Sequence, residues 1–322
     1  MSLNKRPAVR YEPMTAKTIL NSVKAPSMPF DWSINPYRGC QHGCSFCYAR
    51  STHSFLGVDT DDTFQHHIFL KQQAPEVLRA QILKRLRGRK GISDLGQVAI
   101  GTATDPYQQI EGKARLTRGC LEVLAEFQIP VTITTRSPLI LRDLDILQRL
   151  SSITVNVSIS TLNPVIWRQF EPSTPSPAKR LDMVEQLRNA GVDAGVFAAP
   201  ILPYITDDQA ALEDLIRAVS AAGAQFVMPS YLRLSTQAVK VWFFQTLQRH
   251  YPRLIGDYAR LYQASGSAPA EFRDPVMRRI ETLLHRHGLQ SRKGAARAPQ
   301  MTIDSTSGKA DANEKPVQLT LF

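Results

Sequence analysis

Ile153-Thr-Val-Asn-Val-Ser-Ile-Ser160 alternates strictly, with Val155, Val157 and Ile159 on one side and Asn156, Ser158 and Ser160 on the other. Period-two alternation of this kind reads as a β-strand, since successive side chains leave opposite faces of the sheet. The apolar face calls for a cover of helices, and the small polar face calls for a cavity. Working outward, the same unit recurs. Val98-Ala-Ile100 precedes a helical stripe at Leu116, Cys120, Val123, Leu124 and Phe127. Val131-Thr-Ile133 precedes Ile140, Leu144, Leu147 and Leu150. The quoted strand precedes Leu181, Val184 and Leu187, closed by Gly191. Val192 to Ala198 leads to Leu212, Leu215, Ile216 and Val219, with Thr206 and Gln209 as the expected capping box. Phe226 to Met228 leads to Val239, Trp242, Phe243 and Leu247. A first strand near Trp32–Tyr37 and a helix near Pro75–Leu86 complete six strand–helix units.

Parallel strands with right-handed helical crossovers, six rather than eight of them, predict an α/β fold in the form of a partial (β/α)6 TIM-type barrel. A doubly wound open sheet is the competing form, but no Gly-x-Gly-x-x-Gly follows any strand. The expected division is an amino-terminal extension over 1–30, the barrel over 31–250, a helical extension over 251–289 and a tail over 290–322. The tail lacks periodicity and reads as disordered.

Active sites of such barrels gather at the carboxyl ends of the strands. The ends here are polar: Gly101-Thr-Ala-Thr-Asp105-Pro-Tyr107, then Thr134-Thr-Arg-Ser137, then the Asn156, Ser158, Ser160 face. Ahead of them lies Asn35-Pro-Tyr-Arg-Gly-Cys-Gln-His-Gly-Cys-Ser-Phe-Cys-Tyr-Ala-Arg50. Cys40, Cys44 and Cys47 form a C-x3-C-x2-C triplet that can wrap around one compact metal centre. With Cys120 the only other cysteine, a disulfide framework does not explain it. Three ligands leave one metal position open. A zinc site completed by His42 or a distant histidine is the alternative. Zinc, however, ordinarily shows a fourth ligand at comparable spacing, and His42 sits tightly between two of the cysteines.

The spacing, with Phe46 before the last cysteine, resembles the signature of the radical S-adenosylmethionine (SAM) superfamily. The flanking Asn35-Pro-Tyr-Arg-Gly39 and Tyr48-Ala-Arg50 are similar to its spore photoproduct lyase-like branch. Blocks at Thr104-Asp-Pro-Tyr107, Thr135-Arg-Ser137, Phe170-Glu-Pro172 and Ala199-Pro-Ile201 carry the likeness through roughly residues 30–230. The resemblance implies a three-quarter barrel and two cofactors, a [4Fe–4S] cluster on Cys40, Cys44 and Cys47, and SAM on the open iron. It implies reductive cleavage of SAM to a 5′-deoxyadenosyl radical that abstracts a substrate hydrogen, fed by an external one-electron donor of flavodoxin or ferredoxin type. It puts Phe46 and Tyr48 near the adenosine, Thr104 and Asp105 near the methionine moiety, and Ser158 and Ser160 near ribose or carboxylate. A lyase-like role in DNA repair is the expected function. A radical enzyme acting on RNA, a peptide or a metabolite, and a non-enzymatic iron–sulfur adaptor, are the alternatives.

Several residues have plainer readings. Cys120 occupies the core stripe of its helix, where a hydrogen-donor role competes with that of a small hydrophobe. His53, His66 and His67 fit a surface insertion. Glu171 and Arg180 flank a proline-rich connection, where a salt bridge supporting the loop and contact with substrate are equal readings. The net charge of +11 is concentrated at Arg79, Lys84, Arg85, Arg87, Arg89 and Lys90, and again at Arg278, Arg279, Arg286, Arg292, Lys293 and Arg297. Such patches attract polyanions, nucleic acid first. No apolar run is long enough to span a bilayer and none follows the amino terminus as a secretory signal would, so a cytoplasmic location is expected. The chain ends on Gln318-Leu-Thr-Leu-Phe322. Gln318, Leu319, Leu321 and Phe322 resemble the pentapeptide by which bacterial polymerases and repair proteins bind the replication sliding clamp.

Overall fold

The computed structural model describes residues 8–25, 28–56, 63–88 and 95–292, without the side chains of 53–56. Eleven strands form two sheets among the described residues. The larger runs β11-β10-β9-β8-β7-β6-β3-β2. Its members are β2 (Asn21–Ser22), β3 (Trp32–Ile34), β6 (Val98–Ile100), β7 (Val131–Thr135), β8 (Ile153–Ser158), β9 (Asp193–Ile201), β10 (Phe226–Tyr231) and β11 (Gln290–Ser291). All neighbours from β3 to β11 pair in parallel, and only the edge strand β2 runs against its partner. The six strands β3, β6, β7, β8, β9 and β10 are those expected, and their open order bears out the partial barrel.

The crossovers are helical. α2 (Ala74–Leu86) leads to β6, α4 (Leu116–Glu126) to β7, and α7 (Pro177–Asn189) to β9. α8 (Gln209–Ala221) leads to β10. α9 (Gln237–His250), α10 (Ile255–Leu261) and α11 (Ala270–Arg286) follow, the last leading into β11. The shorter α1 (Thr63–His66), α3 (Glu111–Ala114), α5 (Leu144–Leu147) and α6 (Pro164–Phe170) fill the connections. None of these helices is long and apolar enough to cross a membrane. The starts follow from side-chain caps: Asn163 accepts from Val165 and Ile166, Ser176 from Lys179, and Thr236 from Val239. At α8 the sequence expectation fails. Asp208 is the cap and accepts from Ala211, whereas the Thr206 hydroxyl accepts from the Leu202 amide two residues too early for the helix.

Val155, Val157 and Ile159 are fully buried beneath the helices in one continuous core with Val131, Ile133, Val196 and Leu187. Burial of each such side chain stabilises by roughly 1.5–3 kcal/mol. A second apolar cluster, built on Phe170, Phe243, Tyr258 and Tyr262, reaches from α9 and α10 to Cys44 and Phe46.

The smaller sheet, β1 (Arg10–Pro13), β5 (His67–Leu70) and β4 (Tyr37–Arg38), was not foreshadowed by any alternation. It brackets the cysteine loop, with β4 entering it and β5 leaving it. Buried Glu111 fixes the entry, accepting from the Tyr37 hydroxyl, the amides of Thr117 and Arg118, and Arg142.

Candidate active site

The cysteine loop leaves β4 through Gly39, whose φ of +78° is open to glycine at little cost. A Cβ there would stand 2.7 Å from the His67 carbonyl oxygen and 2.9 Å from that of Phe64. The Gly39 carbonyl accepts from Thr104 Oγ1 at 2.6 Å and Gln108 Nε2 at 3.3 Å, and the Cys40 amide donates to the Phe64 carbonyl. Gln41 donates its amide to Gln108 and its side-chain nitrogen to the Tyr11 hydroxyl and Gln109. The far side is held as well: the Ser45 amide donates to the Phe170 carbonyl, and the Ser173 amide to that of His42. The loop is thereby strapped to the connection after β6 and to the end of α6, in the connection after β8.

Cys40 and Cys44 are buried, Cys47 is partly so, and all three are free thiols. Cys47 packs beside both of the others. Burial pushes the Cys44 and Cys47 thiols up; at Cys40 the same burial is outweighed by His42 alongside, and the net shift is downward. Among the described residues no three His, Cys, Asp or Glu side chains form a site for a single metal ion. A cuboidal iron–sulfur cluster makes no such demand, because each thiolate takes a different iron. Three soft donors on one strapped loop fit that group.

His42 interacts with both Cys40 and Asp105. Its Nδ1 lies 3.2 Å from Asp105 Oδ2, both side chains being buried. Burial alone would lower the imidazole, but Asp105 and Cys40 raise it to about 9. Asp105 also accepts from Thr135 Oγ1 at 2.7 Å and from the amides of Arg136 and Tyr107. Burial works against the carboxylate, yet His42 and these donors bring it down to about 2. Thr104 and Asp105 therefore join the loop to the ends of β6 and β7. Phe46 is buried in the second cluster, whereas Tyr48 is exposed, its hydroxyl donating to the Thr102 carbonyl.

Arg136 follows Thr135 at the end of β7. Its guanidinium stands 6.0 Å over the Phe46 ring, and its Nε lies 3.7 Å from Glu171 Oε1, beyond hydrogen-bond reach. That buried Nε has no hydrogen-bond partner among the described residues. Glu171 is held by Arg180, by Ser160 Oγ at 3.0 Å and by Thr174, and Arg180 also donates to the Ser158 carbonyl at 2.9 Å. The expected Glu171–Arg180 salt bridge is present and wholly buried. Asn156 turns instead to Thr132 and Thr134 on the neighbouring strand β7. Sequence reasoning took Arg136 only as part of a block; the available signal was a cation set directly behind a strand-end threonine.

Cys120 lies in the main core, fully buried, and burial pushes its thiol up. His66 ends α1 and His67 lies in β5, with its Nε2 3.0 Å from Glu12 Oε2. The His53 side chain and the terminal residues 318–322 lie outside the described residues.

Comparison with known proteins fits this geometry. The sequence model of the Radical SAM superfamily matches residues 34–216. An uncharacterized protein of Mycobacterium tuberculosis is 33% identical over 320 residues, covering 98% of this chain and 88% of that one. Another, from Methanocaldococcus jannaschii, is 29% identical over 192 residues, 60% of this chain and 68% of its own. Among solved structures, a spore photoproduct lyase variant superposes with a TM-score of 0.64 at 18% identity, over 87% of this chain and 81% of that one. Spore photoproduct lyase complexed with dinucleoside spore photoproduct gives 0.63 at 17% identity, over 87% and 81%. At such identities the structural likeness speaks for the fold.

Proposed function

Since the chain belongs to the radical SAM superfamily, we propose that it is a lyase-type enzyme of DNA repair whose cluster ligands are Cys40, Cys44 and Cys47. The family's cofactors, a [4Fe–4S] cluster and SAM, supply when bound a 5′-deoxyadenosyl radical for hydrogen abstraction. The observation that carries the reading is the three-thiol loop strapped to the connections that follow β6 and β8, beside the half-buried Arg136 with its buried, unpartnered Nε.

The residues around the loop divide the work. Arg136 offers an unsatisfied donor to the SAM carboxylate, and Phe46, buried beneath it, and Tyr48 offer aromatic surface to the adenosine. Thr104 and Asp105 serve the methionine side by fixing Gly39, His42 and the Arg136 amide. Ser158 and Ser160 serve the ribose or carboxylate side through the Glu171–Arg180 pair they support. Packing of Phe170, Phe243 and Tyr258 behind Cys44 keeps water from the thiols.

Enzymes of this family need an external one-electron donor, here of flavodoxin or ferredoxin type. DNA as substrate is supported by the net charge of +11 and by the resemblance of Gln318, Leu319, Leu321 and Phe322 to a sliding-clamp peptide, both of which suit a cytoplasmic repair protein. Anaerobic reconstitution tests the core of the proposal. The protein should take up about four iron and four sulfide ions and, once reduced by dithionite, release 5′-deoxyadenosine. A loaded protein that released none would leave the adaptor reading in its place. Conversion of ultraviolet-damaged DNA, set beside RNA and metabolite pools, tests the substrate. A peptide of residues 313–322 titrated against the clamp, beside a Leu321→Ala/Phe322→Ala control, tests the tail.

A further inference from the structure

Three described residues other than glycine have positive φ: Arg115, Gln128 and Tyr204. The first two sit at the ends of α3 and α4, where a left-handed residue is an ordinary helix stop. Tyr204 has no such excuse. Its φ is +61° in the turn after β9, a conformation that a bulky side chain resists and that glycine or asparagine adopts readily. The turn is pinned on every side. Leu202 donates to Thr206 Oγ1 at 2.8 Å and accepts from Ile205 and Thr206, and the buried Tyr258 hydroxyl donates to the Pro203 carbonyl at 2.7 Å. Leu202 and Ile205 point into the cluster that contains Cys44 and Phe46, so the turn belongs to the active-site end of the barrel.

The Tyr204 ring faces outward and is 50% exposed. It is nevertheless fixed, T-shaped against Phe272 at 5.1 Å and against Tyr258 at 6.5 Å. A strained backbone that presents a rigid, half-open aromatic ring beside a candidate site is the pattern in which strain is kept for a ligand. Asp207 and Asp257, with Arg260 paired to the latter, are the charges around it. Two carboxylates and one cation disfavour a phosphate there. They suit the base of a nucleotide, whose amino groups a carboxylate accepts from.

Resting on the proposal that the substrate is nucleic acid, we infer that Tyr204 is a stacking platform for one base of the bound strand. An aromatic ring of this kind binds any base through its π-face, so the contribution is to affinity and register rather than to sequence.

The test uses the full reconstituted chain and short fluorescent single strands of DNA and RNA, each with a counterpart bearing abasic sugars in place of bases. Wild-type protein should prefer the base-bearing strand by roughly five- to a hundred-fold. Tyr204→Phe should keep most of that preference, and Tyr204→Asn should lose it. Because asparagine tolerates the left-handed backbone, the Asn variant should melt within about 2 °C of wild type. The DNA and RNA arms distinguish the two sources of the same base chemistry. An Asn variant that retained the full preference would overturn the inference alone. So would a variant that melted lower and lost both strands in parallel, which is what a merely structural tyrosine would do. Wild-type protein that bound neither DNA strand nor RNA strand would overturn the nucleic-acid reading together with it.

Discussion

At the scale of single residues, the three loop cysteines and Cys120 separate by environment. Replacing Cys40, Cys44 or Cys47 by Ala should abolish 5′-deoxyadenosine formation and reduce iron content. Cys120→Ala should retain both, because that thiol is packed in the core as a small apolar group. Iron assays and product chromatography check the pair; a Cys120 variant that failed to load iron would sink the assignment of ligands. The buried Glu171–Arg180 pair makes a second case. Arg180→Met should destabilise by about 3–5 kcal/mol in urea melts, since it strands a carboxylate that has no water. Burial pushes the Glu171 carboxyl up, but Arg180 and Arg136 pull it net below the ordinary glutamate value. A depressed folded value means that its stabilisation is complete above the unfolded value of about 4.3 and is lost as the pH falls through the folded one. Glu171→Gln should therefore flatten the acid limb of stability below that pH, and an unchanged limb would assign it to other carboxylates. The cysteine triplet stands out in the sequence because few roles suit three of them so closely spaced, and the structure keeps them on one loop. Arg136 does not, because whether a guanidinium nitrogen is covered and left without a partner is set by what folds over it.

At the scale of elements, the alternation of residues in β8 is enough to tell its two faces apart, since period two has one physical meaning. The α8 cap is ambiguous in the sequence because three hydroxyl or carboxylate side chains, Thr206, Asp207 and Asp208, stand in a row; the turn at Leu202 takes the first, the Tyr231 hydroxyl donates to the second, and the third caps the helix. The sheet of β1, β4 and β5 was invisible for another reason. Its strands are four residues or fewer and pair with residues 31 to 57 positions away, so no local pattern announces them. That sheet makes Gly39 an element-level hinge point. Gly39→Ala should leave the far-ultraviolet circular dichroism spectrum intact and lower iron per chain well below four, because the new Cβ meets the β5 and α1 backbone rather than a side chain that can swing away. A fully loaded Ala variant would show that the loop tolerates the shift.

At the scale of the whole molecule, an open sheet of eight strands leaves its face to helices and its carboxyl end to the loop, while charge spreads over the outside. If that charge meets a polyanion, the logarithm of the DNA-binding constant should fall linearly with the logarithm of salt concentration, with a slope close to the number of phosphates neutralised. Titrations between about 50 and 200 mM salt read the slope, and a flat line would confine the charge to solubility. The strand β1 has a consequence of a different sort. Tyr11 reaches from it to Gln41, between the first cysteine and His42, and its hydroxyl accepts the Gln41 side-chain donor at 2.9 Å. If the cysteine loop holds the cluster as proposed, this contact from the amino-terminal strand is a latch on that loop, and a latch governs residence time rather than capacity. Tyr11→Phe should fill with iron to the wild-type level, yet surrender it to a chelator about two- to ten-fold faster, as the loss of one hydrogen bond on the closed state would give. How long the protein survives a breath of air would then be set by a tyrosine that touches no sulfur.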